Sequence, residues 1–293
     1  MNCFPNSTNN LFSISLKTIT YPDDDFESYY LTHDDIAAIY QEGKLPFITL
    51  PEENREEKPV IAVILAQEKF RERKEKDYSI HPDYVSAVVN AGGYPVFIAY
   101  DNVKEQLEAI NPDGILLIGG CFNVPKEWYA NPPAEDIDRR GQAYLDMIAY
   151  AQEHKLPTLG ICGGHQVMSG FCGGMLRHSI NNAVSPEKSH KQGGYVLAHK
   201  VNITAGSLLH NIVGTTEIMV NTAHNEAVCK NVPGVCYVTG LAPDGVVEAI
   251  EPKKPWNKFV LGVQWHPERL AKLGDEASLK IFQAFIKEAS RGK

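Results

Sequence analysis

No stretch of this sequence stays apolar for the roughly 18 residues needed to span a bilayer, so a membrane-embedded protein is not expected. Basic residues are not in excess. Lys and Arg number 28 against 36 Asp and Glu, a formal net charge of −8, and nucleic acid as a main partner would require a basic patch. Cysteine is sparse, and Cys3, Cys121, Cys162, Cys172, Cys229 and Cys236 form no C-x-x-C pair. Neither a zinc framework nor a disulfide scaffold is therefore indicated, and reduced thiols in a cytoplasmic setting are expected. The opening MNCFPNSTNNLFSISL lacks a basic segment followed by a sustained apolar one, so a secretory signal is not expected either. Internal repeats and low-complexity tracts are also missing. What remains is a 293-residue chain with a 43% hydrophobic share, enough for one large globular domain or two small ones.

Two regions differ in character. Residues 1–57 are polar and acidic, with one short helix expected near Asp34–Gln41 before Gly43. A tail, a lid and a packing arm are all open readings of this extension. From residue 58 to 293 the pattern becomes regular. KPVIAVILA is a short continuous apolar run, as a strand buried on both faces requires. A helix over HPDYVSAVVNAGG, a strand over YPVFIAY, a helix over VKEQLEAI and a strand over DGILLIGG follow. After a loop rich in Pro and Asn come a helix over about Ile137–His154 and the strand LPTLGI. This alternation predicts βαβ units and a doubly wound, mostly parallel α/β sheet. Beyond Leu176 the pattern changes to strands with turns: YVLAHKVNIT, TEIMVNTA, VCYVTGLAPDGVVEAIEP and KFVLGVQWHPE. An amphipathic helix over about Glu276–Ser290 closes the domain.

The fourth strand runs into Gly160-Ile161-Cys162-Gly163-Gly164, of the form G-x-C-x-G. A sharp strand-to-helix turn needs glycines where a Cβ would collide with backbone, and it lifts the central side chain above the carboxyl end of the sheet. The thiol then sits at a helix N-terminus, whose partial positive charge favours the thiolate, the attacking species. The alternative is a buried structural thiol, a common fate for cysteine. A nucleophile also needs a base and an orienter. His266 and Glu268, in VQWHPE, supply both types after a strong strand. In extended backbone, residues two apart share a face, and Pro267 favours extended geometry at His266. The backbone N–H of Gly163 is a natural oxyanion donor, and Gly120, at the end of the third strand, is the second. His165 is expected to pack away from the thiol, and Cys121 is read as an inert thiol beside the loop.

Together GICGGHQ, the upstream IGG loop and VQWHPE resemble the class I glutamine amidotransferase superfamily over roughly Val60–Ile286. The whole-chain layout looks closest to the γ-glutamyl hydrolases of peptidase family C26. The resemblance rests further on HPDYVSAVVNAGGYPV, IGGCFNVPKEWY and the segment VNTAHN at 220–225, which is similar to that group's V-N-S-x-H-H. It implies a flavodoxin-like fold, a Cys162–His266–Glu268 triad, Gly120 and Gly163 as oxyanion donors, and a γ-glutamyl thioester. It also implies that Gln166 holds the glutamyl group and that His224 lies near the pocket. No metal and no organic cofactor is implied, and the expected partner is a small γ-glutamyl substrate, with a homodimer left open. There are departures. Gly163 stands where that branch usually has Arg, Asn225 replaces a second His, and the D-x-x-R-D-like stretch is degenerate at Asp138-Arg139-Arg140-Gly141. These put the leaving-group specificity in doubt, not the triad.

The competing functions are a glutaminase subunit that feeds ammonia to a synthetase, a cysteine α/β-hydrolase and a non-catalytic regulator. The α/β-hydrolase places its acid before the histidine in chain order, whereas Glu268 follows His266. Fold alone guarantees no activity. The amine-reading rim is expected from the loops near 67–82 and 121–137.

Overall fold

Three apolar runs of the first half become strands covered on both faces. The computed structural model describes residues 58–68, 77–178, 190, 193–229 and 236–292, and the backbone of two short strands nearer the N-terminus. Strands β1 (Val60–Ile64), β2 (Tyr94–Ile98), β3 (Gly114–Leu117) and β4 (Thr158–Ile161) lie parallel in the order β2-β1-β3-β4. Ile61, Ile115, Leu116, Leu159 and Ile161 are fully buried. Each such side chain contributes about 1.5–3 kcal/mol, so the centre of this sheet is the main stabilising element. β2 is the edge strand. That is why Pro95, which has no N–H to give to a ladder, is tolerated there and why Tyr94 is exposed.

The helices between these strands start where the local chemistry dictates. α1 (Pro82–Asn90) begins on a proline, with the His81 ring accepting from the Asp83 amide. α2 (Val103–Ile110) follows β2, and α3 (Arg139–His154) is capped by Asp138, whose carboxylate accepts from the Gly141 amide at 2.8 Å. α4 (Gly163–Phe171) leaves β4 directly.

The change of pattern past Leu176 is a change of strand direction. β5 (His199–Ile203), β6 (Glu217–Val220), β7 (Cys236–Leu241), β8 (Val247–Pro252) and β9 (Val260–Val263) extend the same sheet to nine strands, in the order β6-β5-β7-β8-β9-β4-β3-β1-β2. β9 pairs parallel with β4, and every pairing from β8 to β6 is antiparallel. α5 (Leu208–Val213), α6 (Pro267–Lys272) and α7 (Glu276–Ala289) complete the unit. Helices α1, α5, α6 and α7 pack in one group and α2, α3 and α4 in another, the two covers of a doubly wound sheet. The α/β fold expected from the alternating pattern is present. No helix among the described residues is long and apolar enough to cross a membrane.

The chain divides into Met1–Glu56 and Glu57–Lys293. Within the first unit, Lys17–Ile19 and Ser28–Tyr30 pair antiparallel. The helix expected near 34–41, and the charged run 69–76 of the rim loop, lie outside the described residues.

The turn from β4 into α4 depends on close approach. A Cβ on Gly164 would stand 2.2 Å from the Leu117 carbonyl oxygen, and one on Gly160 2.8 Å from the Gly164 carbonyl oxygen. Backbone cannot yield there as a side chain would. We expect Gly164→Ala to destabilise the fold by about 1–3 kcal/mol and to lower the melting temperature measurably. A variant that melts with the wild type would show that α4 is not seated on β3 as described.

Candidate active site

Three strand ends bring the sequence-predicted residues together. Cys162 stands at the end of β4, Gly119 and Gly120 follow β3, and His266 follows β9. Cys162 has φ 51° and ψ −103°, a left-handed conformation that a side-chain-bearing residue adopts at a cost of about 1–3 kcal/mol. Its amide donates to the Val263 carbonyl at 2.8 Å, which ties the strained turn to β9. A Cβ on Gly119 would fall 2.8 Å from His266 Cε1, 2.9 Å from Tyr84 Oη and 3.1 Å from Cys162 Cβ. Only a glycine lets thiol, imidazole and phenol meet around this loop.

His266 Nδ1 and Glu268 Oε1 are 2.7 Å apart, both side chains buried. The carboxylate only accepts, so Nδ1 carries the hydrogen and Nε2 is left for the thiol. The geometry corrects one detail of the sequence reading. Pro267 does not prolong an extended strand but opens α6, and Glu268 reaches back to His266 from the first turn of that helix. A proline at N1 is pre-organised for a helix, which the H-P-E spacing alone does not reveal. Asn221, fully buried, fixes the backbone of His266 from both sides. Its Oδ1 accepts from the His266 amide at 2.8 Å and its Nδ2 donates to the His266 carbonyl at 2.9 Å.

Charge in this site is mutually supported. Burial alone would push the Cys162 thiol up, but the adjacent His266 cation and its hydrogen bond outweigh this and hold the thiol below its ordinary value. Burial likewise opposes protonation of His266. The Glu268 carboxylate, then the Cys162 thiolate, raise the imidazole to about 10. Each partner thus favours the charged form of the other, a thiolate beside an imidazolium.

The cavity in front of Cys162 has a volume of about 710 Å³ and is also lined by Gly120, Gln166, His224, His266 and Arg269. Gly163 is set beside this loop, its Cα facing the Gly120 carbonyl oxygen. Gln166 donates through Nε2 to the Glu226 carbonyl at 3.0 Å and to Gln264 Oε1 at 3.1 Å, which leaves its own Oε1 as the atom for a ligand. His224 lines the cavity, but its ring nitrogens face the Glu226 carbonyl and Glu248. His165 is turned from the thiol as expected. It is fully buried, meets Gln264 through Nδ1 at 3.2 Å, and burial depresses its pKa to about 3. Cys121 is exposed on the rim.

Sequence reasoning missed two supports. Tyr84 accepts from the Gly119 amide at 2.9 Å and lies 3.4 Å from His266 Nδ1. Arg140, in the stretch that looks degenerate, is a buried brace. Its guanidinium donates to the Gly119 carbonyl at 2.7 Å and to Tyr144 Oη at 2.9 Å, and it lies over the Phe122 ring at 4.8 Å. In a trans peptide C=O and N–H point opposite ways, so an arginine that holds the Gly119 carbonyl turns the Gly120 N–H to the other side of the loop. A buried arginine was legible only as one charge among several at the start of α3.

The coupled pair makes a pH prediction. A thiol lowered by a neighbouring imidazolium keeps its thiolate as pH falls through the ordinary thiol value of about 8.5. We expect iodoacetamide to alkylate Cys162 rapidly at pH 7, and His266→Asn to slow that reaction roughly tenfold or more. Equal rates in the two proteins would remove His266 as the partner of the thiol.

Comparison with known proteins agrees with this architecture. The family model described as Peptidase C26 matches residues 59–268. A Schizosaccharomyces pombe protein that carries the provisional name of a glutamine amidotransferase is 35% identical over 214 residues, covering 69% of this chain and 79% of that one. The γ-glutamyl-γ-aminobutyrate hydrolase PuuD of Escherichia coli is 30% identical over 229 residues, covering 74% and 88%. Among solved structures, a glutamine amidotransferase from Methylobacillus flagellatus superposes with a TM-score of 0.52 at 12% identity, over 79% of this chain and 95% of that one, a likeness of fold. With its cysteine elbow, its doubly wound sheet and a family match over most of its length, this chain belongs to the peptidase C26 family, a cysteine-type hydrolase and amidotransferase group within the class I glutamine amidotransferase-like superfamily.

Proposed function

We propose that this protein hydrolyses γ-glutamyl amide bonds, with Cys162 as nucleophile, His266 as acid and base, and Glu268 as orienter. The observation that carries the reading is the buried Cys162–His266–Glu268 arrangement facing a cavity of about 710 Å³, well beyond what the side chain of glutamine fills. That space leaves room for an organic amine as leaving group, which fits a self-sufficient hydrolase. The hydrolase named in the relative PuuD points the same way.

The reaction follows from the charges. The Cys162 thiolate attacks the side-chain amide carbon, and the carbonyl oxygen becomes an oxyanion held by the N–H groups of Gly120 and Gly163. As the intermediate collapses the C–N bond breaks, and imidazolium His266 gives its Nε2 proton to the departing amine. A γ-glutamyl thioester remains on Cys162, with His266 neutral. Water then loses a proton to His266 and attacks the thioester carbon, and the C–S bond breaks. Glutamate leaves, and the thiolate–imidazolium pair is restored. Glu268 keeps Nδ1 protonated throughout, so that Nε2 is the nitrogen that exchanges protons. The Oε1 of Gln166, left free by its Nε2 contacts, would accept from the glutamyl ammonium group.

Two experiments test this. The purified chain alone, offered glutamine and a panel of γ-glutamyl amines, is expected to release glutamate from the amines faster than from glutamine, and Cys162→Ala is expected to release none. Glutamate from glutamine alone, or only with an added synthetase, would overturn the hydrolase reading in favour of the subunit. Arg140→Met is expected to lower kcat about 10²-fold with KM changed only a few-fold, since it frees the Gly119–Gly120 peptide that the oxyanion needs. An unchanged kcat in the folded variant would remove that peptide from the oxyanion site.

A further inference from the structure

Behind the cavity wall lies a second buried polar centre that the chemistry of Cys162 does not use. Glu248 of β8 is fully buried, and neither of its carboxylate oxygens has a hydrogen-bond partner among the described residues. Three imidazoles face its Oε1: His199 Nε2 at 3.4 Å, His224 Nε2 at 3.7 Å and His190 Nδ1 at 3.8 Å. The far nitrogen of each ring is committed elsewhere. His199 Nδ1 meets the Lys200 carbonyl at 3.2 Å, His224 Nδ1 the Glu226 carbonyl at 2.9 Å, and His190 Nε2 the Asp244 carboxylate at 2.9 Å. These partners accept only, so the hydrogens of the neutral rings sit on the far nitrogens. The Nε2 lone pairs of His199 and His224 and a carboxylate oxygen are then turned towards one another at buried atoms, and His190 Nδ1, which faces them, also has Thr222 Oγ1 at 3.3 Å. His199 Nε2 and His224 Nε2 have no hydrogen-bond partner among the described residues. Such a centre needs positive charge. Against the effect of burial, Glu248 holds the His224 imidazole above its ordinary value, and a bound cation would use the same lone pairs.

The spacing is a little wider than that of a coordination sphere and would close on an ion. Bonds of about 2.1 Å at tetrahedral angles put ligand atoms about 3.4 Å apart, and the ligand atoms of His190, His199 and Glu248 lie within 4.8 Å of one another. Asp244 on the far side of His190 is the outer carboxylate that commonly orients a metal-bound imidazole. The donor set of imidazole nitrogen and carboxylate oxygen suits a borderline ion, not a hard cation such as calcium or magnesium.

We propose that His190 Nδ1, His199 Nε2 and Glu248 Oε1 form a site for a divalent transition-metal ion of the zinc class, with His224 closing it on the side of the catalytic cavity. The ion is structural. It joins His190, β5 and β8 to the 221–226 segment, which carries both Asn221, the anchor of His266, and His224 of the cavity wall.

Cobalt(II) is the probe. The full chain, stripped with a chelator, is expected to bind about one equivalent of Co²⁺, with visible d–d absorption and no near-ultraviolet thiolate band, and to release it to Zn²⁺. The Cys162→Ala chain is expected to bind alike, which separates this site from the catalytic thiol. Glu248→Gln, which keeps the side-chain shape, and His199→Ala, at a partly exposed position, are expected to weaken binding at least tenfold, with circular dichroism reporting that each is folded. A folded wild-type chain that takes up neither ion at tens of micromolar would overturn the proposal. So would binding that survives both variants or disappears in Cys162→Ala.

Discussion

A thiol buried at a strained turn ionises only if a cation stands beside it, and the rest of the site follows from that requirement. Cys162 pays a conformational cost at φ 51° to project above the sheet, and burial alone would keep it neutral. His266 supplies the cation, and His266 is cationic because Glu268 is buried against it at 2.7 Å. No two of the three would suffice. Without Glu268 the imidazole would lose the charge that favours its protonation, and without His266 the buried carboxylate would face only the Arg269 guanidinium at 3.5 Å. The surrounding fold serves to hold this triplet still. Asn221 grips the His266 backbone at both its N–H and its C=O, and Tyr84 fills the space behind the Gly119 turn.

What could be read in the sequence was what is local. Continuous apolar runs marked the parallel strands, because a strand covered on both faces leaves no polar position. The G-x-C-x-G elbow was legible because steric exclusion at Gly160 and Gly164 admits no side chain. The break in pattern after Leu176 marked the antiparallel half of the sheet. Cys162, His266 and Gly120 could be placed because each falls at the end of a strand whose direction the pattern fixes. Glu268 was identified for a reason that proved incomplete: it lies beside His266 through a helix that begins at Pro267, not through extended backbone.

Features built from distant segments were not legible. Arg140 sits among charged residues at a helix start, and nothing in Asp138-Arg139-Arg140-Gly141 says that one guanidinium is buried against the Gly119 carbonyl while its neighbour Arg139 stays in solvent. The cluster around Glu248 draws on residues 190, 199, 224 and 248, with no spacing that would announce a ligand set. His224 and Asn221 occur in one motif of the chain and serve two buried centres at once, since Asn221 anchors the His266 backbone and His224 faces Glu248. The two centres therefore share a wall, and the order of that wall bears on both.

The central claim is that Cys162 carries the acyl group of a γ-glutamyl substrate. The most direct measurement is intact-mass and peptide mass spectrometry of the chain, quenched in acid during turnover of a γ-glutamyl amine. The account predicts an added mass of one γ-glutamyl group, located on the peptide that contains Cys162 and removed by hydroxylamine. Steady release of glutamate with no such adduct, from a chain in which Cys162→Ala is equally active, would contradict it.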